Sequence, residues 1–177
     1  TFTIDGMEIL IGVYSPTGKV TAESITPEMK KMMTAQKTFL GKINETKKYS
    51  VLLYLSTLTD NDAKGFGALE HPTATTVGLP EMMSKEELVK SMIDVVSHEF
   101  FHIVTPLSIH AKEIHDFDYN APKMSQHLWM YEGVTEYFAN LFQINQGLIT
   151  EEDFLSRMAE KMEHANAMND TMPFTTM

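Results

Sequence analysis

Apolar and polar positions first indicate β-strands in the amino-terminal part of the chain. The segments MEILIGVYS (7–15) and YSVLLYLST (49–57) are rich in β-branched, aromatic and leucine side chains, which is typical of strands. The segment GFGALEHPTATTVGLP (65–80) combines glycine, threonine and proline. It predicts an extended edge segment, because a central strand would not be expected to carry those residues.

The first helical segment lies between the first two predicted strands. Thr26 precedes Pro27 and Glu28, which gives an N-cap, a proline at the first helical position and an early acidic residue. We expect this helix to end at about Leu40, with Gly41 as its stop.

From residue 84 onward the spacing of apolar residues is helical. Ser84 and Glu87 form a capping-box signature for a helix that we expect to end before Pro106. After a long connection, residues 127–147 form a second apolar helix, and Thr150 caps a third. Strands first and helices later predict an α+β fold.

The chain has 177 residues, which is the length of one domain. We expect a single catalytic-domain fragment with a small β-containing lobe (1–80) and a helical lobe (81–177). The opening TFTIDGMEIL has neither a signal-peptide pattern nor an initial methionine, so we expect a mature product or an excised piece of a longer protein.

The charge of the chain limits the classes of molecule that it can be expected to bind. There are 24 acidic against 14 basic residues, for a formal net charge of -10, and Arg157 is the only arginine. This balance argues against a nucleic-acid-binding protein, which needs a clustered basic surface. No run of residues approaches the roughly 20 apolar positions of a membrane span.

The segment SHEFFHIVTP (97–106) places ionisable side chains in an apolar stretch, and it contains the pattern HExxH. On a helix, His98 and His102 lie on one face and can bind one metal ion, while Glu99 can act on a water there. The alternative is a pair of hydrogen-bonded core histidines. A catalytic zinc needs three protein ligands and an open position. Since the chain has no cysteine, the third ligand must be His, Asp or Glu.

The next predicted helix offers two carboxylates for that third position. Glu132 and Glu136 share a face one turn apart, on a helix whose Trp129 and Phe138 indicate that it is largely buried. We assign Glu132 to the metal and Glu136 to the second ring N–H of a ligand histidine. Spacing alone also allows the reverse assignment.

These motifs resemble the glycyl-aminopeptidase family of gluzincin zinc metallopeptidases, which is related to aminopeptidase N. The matching segments are HEFFH (98–102), FDY (117–119) and LWMYEGVTEY (128–137). The 29 residues between His102 and Glu132 exceed the spacing typical of the aminopeptidase N group and suit the glycyl-aminopeptidase type. The resemblance implies a thermolysin-like catalytic domain that hydrolyses peptide bonds through a zinc-activated water, with Glu99 as general base.

The segment GALEH (67–71) is similar to the G-G-L-E-H segment of that family. In the relatives this segment is an edge strand that lines the cleft. By this resemblance Glu70 would pair with the amino terminus of the substrate, and Ala68 and His71 would also line the cleft.

The resemblance favours an aminopeptidase that removes small or glycyl residues from peptide amino termini. An endopeptidase with the same zinc chemistry is one alternative. A catalytically silent metal- or peptide-binding module of a larger envelope protein is another. Relatives also carry an amino-terminal β domain and a carboxy-terminal PDZ domain, and they suggest a bacterial periplasmic or envelope location. They usually supply a tyrosine or histidine for the oxyanion, for which Tyr119, Tyr131 and Tyr137 are the candidates.

Overall fold

A computed structural model describes residues 1–43, 45–59, 61–118, 120–168 and 171. The strands are β1 (Phe2–Ile4), β2 (Met7–Tyr14), β3 (Lys48–Ser56), β4 (Gly67–His71) and β5 (Ala74–Pro80). The helices are α1 (Ala22–Leu40), α2 (Lys85–Phe101), α3 (Lys112–His115), α4 (Leu128–Asn145) and α5 (Glu151–Asn166), and a 3₁₀ turn (Gly41–Ile43) follows α1.

The five strands form one mixed sheet in the order β1-β2-β3-β5-β4. β2, β3 and β5 run parallel, and the two outer strands are antiparallel to their neighbours. α1 is the crossover between the parallel strands β2 and β3, as parallel pairing requires. The predicted α+β class is therefore confirmed.

One face of the sheet packs against α1 and α2 and forms the core. Alternate strand residues point into this layer because successive side chains of a strand face opposite sides. The fully buried members of this layer include Ile9, Tyr49, Val51, Leu55 and Val77 from the sheet and Met29, Met33, Met92, Val96 and Phe100 from the helices. The core thus holds the second half of α2 firmly against the sheet.

The start of α1 differs from the prediction. The N-cap is Thr21, whose hydroxyl accepts a hydrogen bond from the backbone N–H of Ser24, and Pro27 lies inside the helix. Pro27 is the sixth residue of the helix, so its missing N–H removes the backbone hydrogen bond to the carbonyl of Glu23. The predicted end at Leu40 and the stop at Gly41, with φ of 56°, are confirmed.

The segment 65–80 also differs from the prediction, because it forms a hairpin of two strands. β4 is an edge strand as expected, but β5 lies inside the sheet between β3 and β4. Pro80 is tolerated because it is the last residue of β5. Gly78 faces the backbone of Gly67, where a Cβ would meet the Gly67 carbonyl oxygen at 3.8 Å.

The predicted capping box of Ser84 with Glu87 and the predicted N-cap at Thr150 are confirmed, and Thr150 also forms a capping box with Asp153. α2 ends at Phe101, earlier than predicted, and residues 102–108 continue as a series of turns. Within the parts of the chain that the structure describes, no helix has both the length and the apolar character of a membrane span.

Candidate active site

The last turn of α2 and the residue after it carry the HExxH motif. His102 is the C-cap of α2, but its φ of -60° and ψ of -19° are still helical. The rings of His98 and His102 therefore lie on one face with centroids 4.7 Å apart. Ligand-type atoms of His98, Glu99 and His102 lie within 4.8 Å of one another.

Glu132, the fifth residue of α4, faces both histidines. Its Oε2 lies 3.2 Å from His98 Nε2 and 3.5 Å from His102 Nε2. Atoms about 2.0–2.2 Å from a tetrahedral zinc would lie about 3.3–3.6 Å from one another. The separations from Glu132 therefore fit a shared metal ion.

The other ring nitrogen of each histidine faces an acceptor. His98 Nδ1 lies 2.8 Å from Glu136 Oε2, and His102 Nδ1 lies 2.9 Å from the carbonyl oxygen of Thr105. Because a carboxylate and a carbonyl can only accept, each Nδ1 carries a hydrogen and donates it. In the neutral rings both Nε2 lone pairs then point towards the Glu132 carboxylate.

The hydrogen bonds of this arrangement shift the pKa values of Glu132 and His98. Hydrogen bonds with His102 and His98 lower the pKa of Glu132 to about 2. Burial alone would lower the pKa of His98, but its hydrogen bonds with Glu132 and Glu136 raise it to about 9. The lone pairs of His98 Nε2, His102 Nε2 and Glu132 Oε2 face one another and repel unless positive charge lies between them. Protons or a metal cation can supply this charge.

Glu99 lies below this cluster and is 7% exposed. Its Oε2 is buried and has no hydrogen-bond partner among the described residues. Burial raises the pKa of Glu99. The charges of His102 and His98 lower this pKa and those of Glu70 and Glu132 raise it, and the net shift is upward. A buried carboxylate oxygen without a partner is unusual, and it is the arrangement expected of a group that accepts a proton during a reaction.

A cavity of about 340 Å³ opens beside the site, between α2 and the edge strand β4. Its lining includes Ala68, His98, Glu99 and Glu136. Ala68 therefore lines a cavity beside the histidines, and its role in substrate binding stays a prediction.

The other two candidate residues of the GALEH segment, Glu70 and His71, lie on different faces of the sheet. Glu70 pairs with Thr75, which pairs with the buried Val51, so Glu70 shares the sheet face that packs against α2. Its charge acts on Glu99. His71, one residue further, points to the opposite, exposed face, and the structure does not bring it into the cavity.

α5 supplies a contact that the sequence reasoning missed. Lys161 Nζ donates to Glu136 Oε1 at 2.5 Å, and Asn140 Nδ2 donates to the same oxygen at 3.0 Å. Burial alone would raise the pKa of Glu136, but the hydrogen bonds from His98 and Lys161 lower it to about 2. The available signal was a basic pair four residues apart, Arg157 and Lys161, on an otherwise acidic helix.

The tyrosine candidates for oxyanion binding differ in position. Tyr131 is buried and its hydroxyl accepts from the backbone N–H of Ala111 at 2.7 Å, so it is a packed aromatic. Tyr137 is 48% exposed, and Tyr119 lies outside the described residues. The expectation that α4 is largely buried is only partly correct, because Trp129 is 46% exposed.

Comparison with known proteins finds a matching family model and solved structures of similar fold. The family model for M61 glycyl aminopeptidases matches residues 91–172, which include α4, α5 and the HExxH motif. The fold is similar to that of an aminopeptidase N family protein from Idiomarina loihiensis, known from a crystal structure, with a TM-score of 0.70 and 20% sequence identity. That alignment covers 87% of this chain and 26% of the other, so this chain spans about a quarter of the length of that protein. No curated protein matches the sequence.

Proposed function

The chain carries the M61 glycyl-aminopeptidase resemblance over residues 91–172, and from this premise we propose that it is a catalytic-domain fragment of a zinc metallopeptidase of the gluzincin type. Its activity would be that of an aminopeptidase that removes small or glycyl residues from peptide amino termini. The fragment would comprise a β-containing lobe (1–80) and a helical lobe (81–177). We also propose that the substrate is a peptide and that the chain is linked to further domains in a longer protein.

One observation carries the proposal: the convergence of two Nε2 lone pairs on the Glu132 carboxylate, with each Nδ1 hydrogen already donated elsewhere. Two imidazoles and a carboxylate are a ligand set of catalytic zinc sites, which keep one position open. The residues present therefore fit zinc, and His98, His102 and Glu132 would hold it. When bound, zinc would polarise the peptide carbonyl and lower the pKa of a water to about 7.

Glu99 would act as the general base. Its carboxylate has one buried oxygen without a partner, and it lines the cavity beside the histidines. It would accept a proton from the attacking water at that carboxylate and return the proton to the leaving amine. Exclusion of water around a buried carboxylate strengthens its electrostatic interactions with the reacting atoms.

The remaining residues would orient the site and the peptide. Glu136 would hold the ring and tautomer of His98 through the Nδ1 hydrogen bond. Glu70, on the same face as the cavity, would pair with the ammonium group of the substrate. Ala68 would leave room for the first residue of the peptide.

The test compares wild type with Glu99→Gln for zinc content and for release of glycine from a short glycyl peptide. We expect one zinc per chain in both proteins and a loss of activity of about 100-fold or more in the variant, because proton transfer contributes about 10²- to 10⁴-fold. A wild-type chain that takes up no zinc under metal-replete conditions would refute the metal site. Equal activity in both proteins would refute the role of Glu99.

A further inference from the structure

Both carboxylate oxygens of Glu136 accept hydrogen bonds, one from the HExxH motif and the other from outside it. Oε2 accepts from His98 Nδ1 at 2.8 Å, and Oε1 accepts from Lys161 Nζ at 2.5 Å and from Asn140 Nδ2 at 3.0 Å. Asn140 lies one turn further along α4, whereas Lys161 comes from α5. A carboxylate held at both oxygens has little freedom to turn away from the histidine.

We propose that Lys161 is a positioning residue for the metal site, acting through Glu136 on the orientation and tautomer of His98. The inference rests on the proposed function, in which His98 is a zinc ligand. Partners of a ligand histidine raise its basicity and fix its ring, and their loss weakens metal binding. Lys161 would extend this chain of contacts by one further residue.

The direction of the change in zinc affinity distinguishes a positioning role of Lys161 from a purely electrostatic one. A lysine near a cation site disfavours the cation by repulsion, so removal of its charge alone should strengthen zinc binding. Loss of positioning should weaken zinc binding. The two contributions oppose one another, so weaker zinc binding in a Lys161 variant cannot result from loss of its charge alone.

Lys90 provides the matched control. It lines the same cleft of about 610 Å³ as Lys161, but its side chain starts from α2, and none of the described hydrogen bonds of Glu136 involves it. Lys90→Met therefore removes the same charge, with the same change of side chain, and leaves the contacts of Glu136 in place. Lys161→Arg keeps both charge and donor.

The experiment measures zinc affinity of the full chain by competition with a chromophoric chelator, at fixed pH and ionic strength. We expect Lys161→Met to raise the dissociation constant about 3- to 10-fold, less than the roughly 10- to 100-fold typical of direct partners of a ligand. Lys90→Met should leave it unchanged or lower it, and Lys161→Arg should stay close to wild type. An unchanged or lower dissociation constant in Lys161→Met overturns the inference.

A Glu136 variant serves as a second background for Lys161→Met. It keeps the test valid if the loss of Lys161 weakens the packing of α5. In Glu136→Ala, the added Lys161→Met change should no longer weaken zinc binding, because the side chain through which Lys161 would act is gone. As for Lys90→Met, the dissociation constant should stay unchanged or fall. Equal weakening in both backgrounds would mean that Lys161 acts on the fold as a whole, which overturns the inference. Absence of zinc binding in the wild type would overturn the proposed function itself, and the inference with it.

Discussion

The protonation of the two histidines decides what the site can bind. Each Nδ1 faces an acceptor, and each Nε2 faces Glu132. In the metal-free chain a proton on His98 is favoured, which agrees with the rise of its pKa to about 9. The proposed binding of zinc would therefore require loss of such protons, because imidazole binds a metal only through a free lone pair.

The proposed role of Glu70 distinguishes an aminopeptidase from an endopeptidase. We expect Glu70→Gln to lower kcat/KM for a peptide with a free amino terminus by about 10- to 100-fold, since a hydrogen bond to a charged group contributes about 1.5–3 kcal/mol. The measurement is the rate of hydrolysis of a glycyl peptide and of its N-acetylated counterpart.

His71→Gln is the control for this change, because it alters the neighbouring residue on the opposite face of the same strand. It should leave kcat/KM close to wild type. If Glu70→Gln hydrolyses the peptide with a free amino terminus as well as wild type does, the result supports an endopeptidase and refutes the proposed role of Glu70.

At the level of elements, Glu81 joins the ends of the parallel strands. It follows β5 directly, its backbone N–H donates to the carbonyl of Ser56 at the end of β3, and its side chain accepts from Ser15, just after β2. The backbone N–H of Thr17 donates to the same carboxylate at 3.1 Å. One side chain thus ties the connection before α1 to the centre of the sheet.

This contact predicts a pH-dependent contribution to stability. The hydrogen bond from Ser15 lowers the pKa of Glu81 below its usual value of 4.5. A lowered folded-state pKa stabilises the fold above the unfolded-state pKa, and the benefit disappears as the pH falls through the folded-state value. The difference in urea midpoint between wild type and Glu81→Gln should therefore be largest near pH 7 and shrink below about pH 4.5.

Ser15→Ala tests the cause of this effect. Removing the donor should reproduce part of the loss at pH 7, and Glu81→Gln should then add less than it does alone. A difference between wild type and Glu81→Gln that stays constant from pH 7 to pH 3 would contradict the prediction.

Features encoded by a few adjacent residues could be predicted from the sequence. The capping box at Ser84, the N-cap at Thr150 and the spacing of His98 and His102 depend on local helix geometry, and each has its expected form. The roles of these histidines, and of Glu132 and Glu136, stay predictions until zinc binding is measured.

Features that depend on pairing between distant segments were missed or misjudged. β5 became an inner strand because β4 covers its other edge, and no local signal in 74–80 reports that neighbour. His71 was expected in the cleft, but the strand register turns it to the opposite face. Lys161 contacts Glu136 only because α5 folds back on α4.

At the level of the whole molecule, zinc should stabilise the fold. A ligand that binds only the folded state at about 100 times its dissociation constant adds about 2.7 kcal/mol, which for a chain of this size raises Tm by about 5 to 10 °C. Removal of zinc with a chelator, followed by thermal unfolding, measures this shift.

The variants have distinct expected results in the same assay. Glu99→Gln should keep the shift because Glu99 is not a proposed ligand, and His164→Ala should keep it as a surface control. His98→Ala should lose most of it. A chelator that leaves the Tm of wild type unchanged would contradict a zinc site coupled to folding.

The docking of α5 has a consequence for motion. None of the side chains of α5, all of which are described, is buried, and the helix is attached to the rest by polar contacts such as Arg157 with Asp94 and Lys161 with Glu136. Helices with little buried surface open locally at a lower free energy than the global unfolding of the core. The amides of α5 should therefore exchange with deuterium faster than those of α2, and each opening of α5 would interrupt the contact on Glu136. The affinity of the site would then be an average over closed and open forms of its least protected helix.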